Sequence, residues 1–283
     1  MKEILGKHDL ARKELRQVNN DQGRSEQDLS PISGVLKKTP ERISVVCRDC
    51  GEAFEGANLG WLTAAVCSKC GKKQEEREQA AEKLAQEQRE EQRYQGLIRL
   101  ANIPPRWRDV TFSTLDPKIH PAAQRLAREY AEGFSKESPS LVFYSPGNGT
   151  GKTTLAACII NYVLHERRVP VMFGKARDIM LGIRKTFSDH YETEAEILDK
   201  ISYVDLLLLD DVGVDRPSEW IKSTYWTLMD RRFDWMLPVV VTTNKPLDGK
   251  GEVLADRIGE GAASRLLGLC QGNIIDMSGK DLR

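Results

Sequence analysis

The sequence has 283 residues, 30% of them charged and 40% hydrophobic, which is typical of a globular protein with room for two domains. Lys plus Arg equals Asp plus Glu at 42 each, so the net charge gives no indication of a nucleic-acid partner. No apolar run is long enough to span a bilayer, and the N-terminus lacks the apolar stretch of a signal peptide. We therefore expect a cytoplasmic protein without a membrane partner, whose cysteines are reduced or bound to metal.

The first 100 residues are mostly polar. A weak apolar stripe between Ile4 and Val18 predicts one short helix, either within a partly ordered tail or as a docking helix for a partner protein. Strong helix formers without Gly or Pro fill residues 72–95 and predict a solvated connecting helix, which Gly96 and Pro104-Pro105 should end. The expected segments are a partly ordered tail, a metal-binding module, a helical linker and a larger domain, at 1–41, 42–73, 74–100 and 101–283.

Four of the six cysteines form two Cys-x-x-Cys pairs, each followed by glycine. This spacing lets both thiolates of a pair reach one ion, and four thiolates complete a closed structural zinc site. The pattern resembles a zinc ribbon that folds with its metal, with an iron–sulfur cluster or redox dithiols as alternatives. We expect Gly51 and Gly71 to permit a tight turn behind each pair, and Cys158 and Cys270 to lie in the core. The predicted zinc ligands are Cys47, Cys50, Cys67 and Cys70.

Short apolar runs alternate with helical patterns after residue 101, which predicts an α/β fold with a five-stranded parallel sheet between helices. The predicted strands are 141–144, 169–173, 206–210, 238–243 and 273–277. The predicted helices between them are 153–168, 176–187, 194–201 and 218–233, with a single last helix over 255–269.

A glycine-rich loop lies between the first of these strands and an apolar helix, which is the setting that a Walker A motif requires. Backbone N–H groups and the helix N-terminus would hold phosphates, Lys152 would reach the β- and γ-phosphates, and the Thr153 hydroxyl would bind magnesium. The strict pattern has glycine at the position of Pro146. The candidate ATP-binding residues are Gly147, Asn148, Gly149, Thr150, Gly151, Lys152, Thr153 and Thr154.

The run from Leu206 to Asp211 resembles a Walker B strand. Asp210 is the candidate magnesium ligand beside Thr153. Asp211 occupies the place where AAA+ ATPases usually have a glutamate that polarises the attacking water, and a shorter side chain predicts slower hydrolysis. Asn244 follows the next strand and resembles the sensor 1 residue of AAA+ enzymes, with Thr243 as the competing candidate.

Together these motifs resemble those of the DnaC/DnaI-type helicase loaders and the related IstB transposition ATPases, over residues 97–283. The resemblance is carried by IPPRWRDVTF, the P-loop, LLLLDDVG, VVVTTNKPL, ASRLLG and SGKDLR. It implies an AAA+ ATPase that uses ATP and Mg²⁺, forms a homo-oligomer, and loads a hexameric replicative helicase onto single-stranded DNA. It also implies that Arg265 is an arginine finger acting on a neighbouring subunit and that Arg283 is a sensor 2 residue acting within its own chain.

Other functions stay open at this point. An IstB-like transposition helper would share the same ATPase domain, and a zinc-containing adaptor would use its nucleotide site only for regulation. A small-molecule P-loop kinase is disfavoured because no arginine-rich substrate lid follows the core. A site for single-stranded DNA needs a basic groove with stacking surfaces. Five residues near the second predicted strand and its helix are candidates for such a groove, and the alternative is that they form the solvated face of an amphipathic helix. These candidates are Lys175, Arg177, Arg184, Lys185 and Phe187.

Overall fold

The computed structural model describes residues 42–57, 66–185, 193–249, 251–279 and 281–282. The chain divides into two compact units, residues 1–84 and 85–283. Ile4 to Val18, Phe187 and Arg283 lie outside the described residues. The strands are β1 (Arg42–Val46), β2 (Ala53–Ala57), β3 (Leu141–Tyr144), β4 (Val171–Lys175), β5 (Leu206–Val212), β6 (Val239–Thr243) and β7 (Ile274–Asp276). The helices are α1 (Ser68–Ala101), α2 (Pro105–Arg108), α3 (Pro121–Glu132), α4 (Lys152–His165), α5 (Ala176–Lys185), α6 (Glu194–Tyr203), α7 (Glu219–Asp234), α8 (Leu254–Ile258) and α9 (Glu260–Cys270).

The first unit contains a two-stranded antiparallel sheet, β1–β2, which the sequence patterns did not predict. Its register pairs Arg42 with Ala57 and Val46 with Ala53. The segment between these strands carries the first cysteine pair. A two-stranded sheet is marginally stable alone, so the unit depends on a further source of stability.

Helix α1 is longer than the predicted helix at both ends. The prediction that Gly96 ends the helix was wrong, since Gly96 lies inside the helix. An added Cβ at this position would contact nothing within 4 Å, so no close packing requires a glycine there. The helix ends at Ala101, and Asn102 follows with a left-handed φ of 48°. Pro104 and Pro105 then exclude a helical continuation.

The second unit contains the predicted five-stranded parallel sheet, in the order β4-β5-β6-β3-β7. The leucines of β5 show why its strands are apolar without interruption. Leu206 and Leu208 pack in the core on one face of the sheet, and Leu207 and Leu209 pack in the core on the other. Strand alternation therefore buries every residue of the run, and each buried leucine contributes about 2 kcal/mol.

Helices from both ends of this unit cover the sheet. The last turns of α1 contribute Leu97 and Ala101 to the core cluster that contains α3 and α4. Cys158 and Cys270 are buried, as predicted. The single last helix was a wrong prediction: Gly259, with φ 91°, separates α8 from α9. None of the described helices is both long and apolar enough to cross a membrane.

A cluster of polar groups attaches α1 to the end of α4. The Tyr94 hydroxyl lies 2.5 Å from Nδ1 of His165. The Arg168 guanidinium lies 3.2 Å from the centre of the Tyr94 ring. Partial burial, and then the positive charge of Arg168, lower the pKa of His165. The folded protein therefore favours neutral His165.

We expect the second unit to lose stability as the pH falls through the ordinary histidine pKa of about 6.5. In that range the unfolded chain binds a proton at His165 that the folded chain does not, so acid favours unfolding. His165→Gln should flatten the dependence of the urea unfolding midpoint between about pH 5 and 7. Tyr94→Phe is the control, because it removes the hydroxyl but keeps the titrating imidazole. An unchanged pH slope in His165→Gln would contradict the assignment.

Candidate nucleotide site and metal centre

The loop between β3 and α4 has the backbone of a phosphate cradle. Gly149 and Gly151 have φ angles of 69° and 91°, in the left-handed region that favours glycine. Gly151 is the N-cap residue of α4, so the unpaired N–H groups of the helix N-terminus face the loop. Gly147 has no such requirement, since a Cβ there would make only ordinary contacts at 3.7 Å or more. Pro146 precedes the part of the loop that needs glycine.

Lys152 begins α4 and is 5% exposed. Its Nζ donates to the carbonyl oxygen of Gly147 at 2.9 Å, so the ammonium group reaches back across the loop. A buried ammonium group in a cradle of backbone N–H groups gives this loop a strong preference for an anion.

Asp210 connects three segments at the carboxyl edge of the sheet. Its Oδ1 accepts hydrogen bonds from the hydroxyls of Thr153 on α4 and Thr242 on β6, both at 2.7 Å. Burial raises the pKa of Asp210, and the two hydroxyl hydrogen bonds oppose that shift. Thr153 and Asp210 thus bring two oxygen ligands together beside the cradle, the ligand type that Mg²⁺ prefers.

Asp211 lies in an irregularity of β5 that the sequence pattern did not show. The register with β6 shifts between Leu209 and Val212, and Asp211 has a φ of 57°. Its backbone N–H donates to the Thr242 hydroxyl at 2.9 Å. In a regular strand successive side chains point to opposite faces, but here both Asp210 and Asp211 line the same cavity.

Asn244 also lines this cavity, and its Nδ2 donates to Oδ1 of Asn148 at 2.6 Å. Thr243, the competing candidate, instead donates to the carbonyl of Val212 at 2.8 Å and accepts from the backbone of Lys245 at 3.0 Å. Among the described residues, the buried Asn244 Oδ1 and Thr150 Oγ1 have no hydrogen-bond partner. Buried oxygens normally accept a hydrogen bond, so each of these two lacks a donor that a bound ligand or an ordered water would supply.

The cavity has a volume of about 520 Å³, within the usual range for small-molecule sites. It also includes four residues that the sequence analysis did not assign to the nucleotide: Arg106 and Trp107 of α2, Lys175 at the end of β4, and Leu282. These residues could not be assigned from local motifs, because β4 and the C-terminal segment lie far from the loop in sequence and approach it only in the folded chain. The backbone N–H of Leu282 donates to the Gly149 carbonyl at 3.0 Å. Arg283, the candidate sensor 2 residue, follows outside the described residues.

Arg265 does not line the cavity of its own chain. It lies on α9, where its Nε donates to Oδ1 of Asp230 and its guanidinium carbon is 5.2 Å from the centre of the Trp226 ring. Its side chain is 32% exposed. The guanidinium group is therefore held at the protein surface, away from the nucleotide cavity of its own chain.

The four predicted zinc ligands come together in the first unit. Their sulfur atoms all lie within 4.8 Å of one another, and the Sγ atoms of Cys50 and Cys67 are 3.8 Å apart. A zinc ion with Zn–S bonds of about 2.3 Å would place its sulfurs about 3.8 Å apart in a tetrahedron. The donor set and its spacing therefore fit zinc.

Local backbone structure differs between the two cysteine pairs. Gly51 has a φ of 75° and permits the turn behind the first pair, as expected. Gly71 lies in the first turns of α1, and a Cβ there would contact nothing within 4 Å, so the expected tight turn was wrong. Cys70 is instead presented by the start of a helix.

The sulfurs also influence one another's protonation. Backbone hydrogen bonds from Cys67 and Cys50 lower the pKa of Cys47 to about 6. The neighbouring sulfurs of Cys67 and Cys50 raise the pKa of Cys70 to about 12. Four crowded sulfurs cannot all be thiolates without a compensating cation, which a divalent metal supplies.

The model of the IstB-like ATP binding protein family matches residues 71–283, more than half of the chain. The chain belongs to this family. It is 34% identical over 132 residues to the replicative helicase loader DnaC of Escherichia coli (strain K12), which covers 47% of this chain and 53% of that protein. The YdaV protein of the same strain is 27% identical over 169 residues, 59% of this chain and 66% of that protein. The chain thus spans about half the length of the curated loaders it matches.

Solved structures support the same fold for this IstB-like chain. The crystal structure of the DnaC helicase loader has a TM-score of 0.53 at 21% identity, covering 62% of this chain and all of that one. The DnaI structure has a TM-score of 0.51 at 20% identity, covering 64% of this chain and 95% of that one. At these identities the likeness concerns the fold of the AAA+ type.

We expect one tightly bound zinc ion per chain, because the sulfur spacing fits a closed four-thiolate site. Cys67→Ser should abolish stoichiometric zinc in metal analysis of the purified protein. Cys158→Ala is the matched control: its thiol is buried in the core of the second unit, and it should leave zinc content unchanged. Purified protein with iron and visible absorbance, or without metal, would contradict this prediction.

We expect Lys152→Ala to weaken magnesium-dependent ATP binding, because the cradle loses its buried cation. Loss of one charge-assisted hydrogen bond costs about 2–3 kcal/mol, or roughly 30- to 150-fold in Kd by titration calorimetry. Lys136→Ala is a matched control, since Lys136 pairs with Asp205 at 2.9 Å and does not line the cavity. Equal ATP affinity in wild type and Lys152→Ala would refute the assignment of the P-loop.

Proposed function

We propose that this IstB-like protein is an ATPase that loads a hexameric replicative helicase onto single-stranded DNA in the cytoplasm. The observation that carries the choice of partner is its 34% identity to a replicative helicase loader. The nucleotide cavity supports the chemistry, because a phosphate cradle, two carboxylates and an amide meet there.

Hydrolysis follows from what the residues of the cavity can do. The N–H groups of the loop and Lys152 hold the phosphates, while Thr153 and Asp210 supply ligands for Mg²⁺. When bound, Mg²⁺ neutralises charge on the β- and γ-phosphate oxygens. In this mechanism Asp211 and Asn244, which line the cavity, orient the attacking water.

Arg265 completes the site from a neighbouring subunit in this proposal. It is partly exposed and lies away from its own cavity, which suits a residue that acts in trans. Hydrolysis then requires assembly of a homo-oligomer. Arg283 is proposed as the sensor 2 residue of its own chain, on the family resemblance.

A surface groove of about 430 Å³ is the candidate site for single-stranded DNA. Three arginines line it, Arg177, Arg184 and Arg216, together with the indole of Trp220. Asp215 also lines the groove and pairs with Arg177 at 3.6 Å, so the three arginines leave it with a net positive charge. Net positive charge beside an aromatic side chain fits a sequence-tolerant strand site. Lys175, one of the earlier candidates, lines the nucleotide cavity instead.

Two other functions have specific support. The family description names IstB, so a transposition helper would use the same ATPase unit with a transposase as its partner. The aspartate at position 211 is shorter than the glutamate usual in AAA+ ATPases and so predicts slow hydrolysis, which supports a zinc-containing adaptor with a regulatory nucleotide site. We propose that the region before the ATPase unit, with its cysteine cluster, chooses the partner.

The test is a helicase-loading experiment with the full chain and a chain of residues 85–283. The full chain should bind the replicative helicase of its host and place it on single-stranded DNA, measured by pull-down and strand displacement. The shorter chain should bind ATP with unchanged affinity but not retain the helicase, because it lacks the cysteine cluster.

Lys152→Ala in the full chain is the control that should retain the helicase without a normal response to ATP. A full chain that ignores the helicase but retains a transposase would replace the loader with the transposition helper. Helicase binding with no ATP turnover, with or without single-stranded DNA, would favour the adaptor.

A further inference from the structure

The surface around Arg265 is built by two helices that pack unusually closely. An added Cβ at Gly261 would lie 2.8 Å from Cδ1 of Trp226 and 3.1 Å from its Nε1. The indole ring of α7 therefore lies against the backbone of α9, one turn before Arg265. Any larger residue at position 261 would displace the ring.

Helix α7 offers two different partners to the same guanidinium group. Asp230 accepts a hydrogen bond from Nε of Arg265, and the Trp226 ring lies beside the guanidinium. These two residues are four apart on α7, so they lie on one face of the helix. The carboxylate fixes the direction of the guanidinium plane, and the ring supports it by a cation–π contact.

We propose that Asp230 is a positioning residue that holds Arg265 ready to contact the nucleotide of a neighbouring subunit. This inference rests on the proposed function and adds a residue to it. A free arginine side chain occupies many rotamers, and a residue acting in trans must lose that conformational freedom on contact. Asp230 and Trp226 restrict the side chain before the neighbour arrives.

The pairing leaves Arg265 able to act. A guanidinium group has five N–H donors, and Asp230 accepts from the one on Nε. The terminal nitrogens keep N–H donors for phosphate oxygens, and Nη1 is a marginal 3.5 Å from the Gly261 carbonyl. A carboxylate that instead sequestered the arginine would act as a brake, which makes the opposite prediction for its removal.

The experiment compares Asp230→Ala and Asp230→Asn with Arg265→Ala in the full chain. Arg265→Ala should lower kcat for ATP by about 10³-fold or more, as for other arginine fingers. Asp230→Ala should lower kcat by roughly 10²-fold, the scale of a misplaced reacting group, and leave the Kd for ATP unchanged. Asp230→Asn keeps an acceptor oxygen and should fall between wild type and Asp230→Ala.

Asp199→Asn is the matched control. Asp199 accepts from Arg231, also on α7, at 2.8 Å, so this variant removes a surface Arg–Asp pair that does not involve Arg265. It should keep wild-type kcat. A loss of kcat equal to that of Asp230→Asn would show that the effect comes from α7 in general and would overturn the proposal.

Mixed assemblies give a readout that a merely structural role would not produce. Asp230→Ala mixed with Lys152→Ala should recover turnover, because one subunit supplies an intact cavity and the other an intact Arg265 surface. Asp230→Ala mixed with Arg265→Ala should recover none, because both are defective on the same side. Recovery in the second mixture, or none in the first with assembly confirmed, would overturn the proposal.

The single variants separate this inference from the function on which it rests. If Asp230→Ala keeps wild-type kcat while Arg265→Ala loses activity, Asp230 has no positioning role, and the proposed site shared between subunits still stands. If Asp230→Ala raises kcat, Asp230 inhibits Arg265 by sequestering it, which overturns the proposal that it positions Arg265. If Arg265→Ala keeps wild-type kcat, Arg265 does not act in hydrolysis, and both the site shared between subunits and the role of Asp230 are refuted.

Discussion

One buried carboxylate oxygen organises the nucleotide cavity. Oδ1 of Asp210 accepts from Thr153 and Thr242, and so joins the start of α4 to β5 and β6. A buried carboxylate is costly unless it is hydrogen-bonded, so the two threonine hydroxyls must stay where they are for the charge to be tolerated. Thr242 also accepts from the Asp211 backbone, which places the second carboxylate. The positions of the phosphate cradle, the candidate magnesium ligands and the candidate water-orienting residue are therefore interdependent.

The order of the strands explains why these residues meet. Strands β5, β6 and β3 are neighbours in the sheet, although β3 precedes β5 by more than sixty residues in the chain. All three run parallel, so their carboxyl ends open at the same edge, where a ligand in an α/β sheet binds. The edge strand β4 adds Lys175 to the same cavity. The fold thus collects charged and polar groups from the ends of four strands, or from the segments that follow them, at one point, which no single motif contains.

Sequence patterns predicted the five parallel strands because a short, uninterrupted apolar run is typical of a strand buried on both faces of a sheet, as the leucines of β5 show. They also predicted Lys152, Asp210 and Asn244 as site residues from their positions in or after a strand or a glycine-rich loop, and all three line the cavity. They missed Thr242, whose role depends on a neighbouring strand, and the irregularity at Asp211, which a one-residue register shift produces. The periodicity of apolar residues also predicted a single helix through Gly259, because that pattern gives no information about a positive φ at one residue. Contacts between distant segments and single backbone angles are the parts that local patterns do not encode.

The two units obtain their order from different physical sources. The second unit buries two continuous apolar clusters, one on each face of its sheet, and these clusters hold the strands and helices that carry the cavity residues. The cysteine unit has a short two-stranded sheet and few buried apolar residues among those described, so most of its order must come from whatever holds its four sulfurs together. Metal loss should consequently act on the first unit while the hydrogen bonds around Asp210 persist. Under the proposed function, the region that chooses the partner and the unit that holds ATP can then change independently of each other.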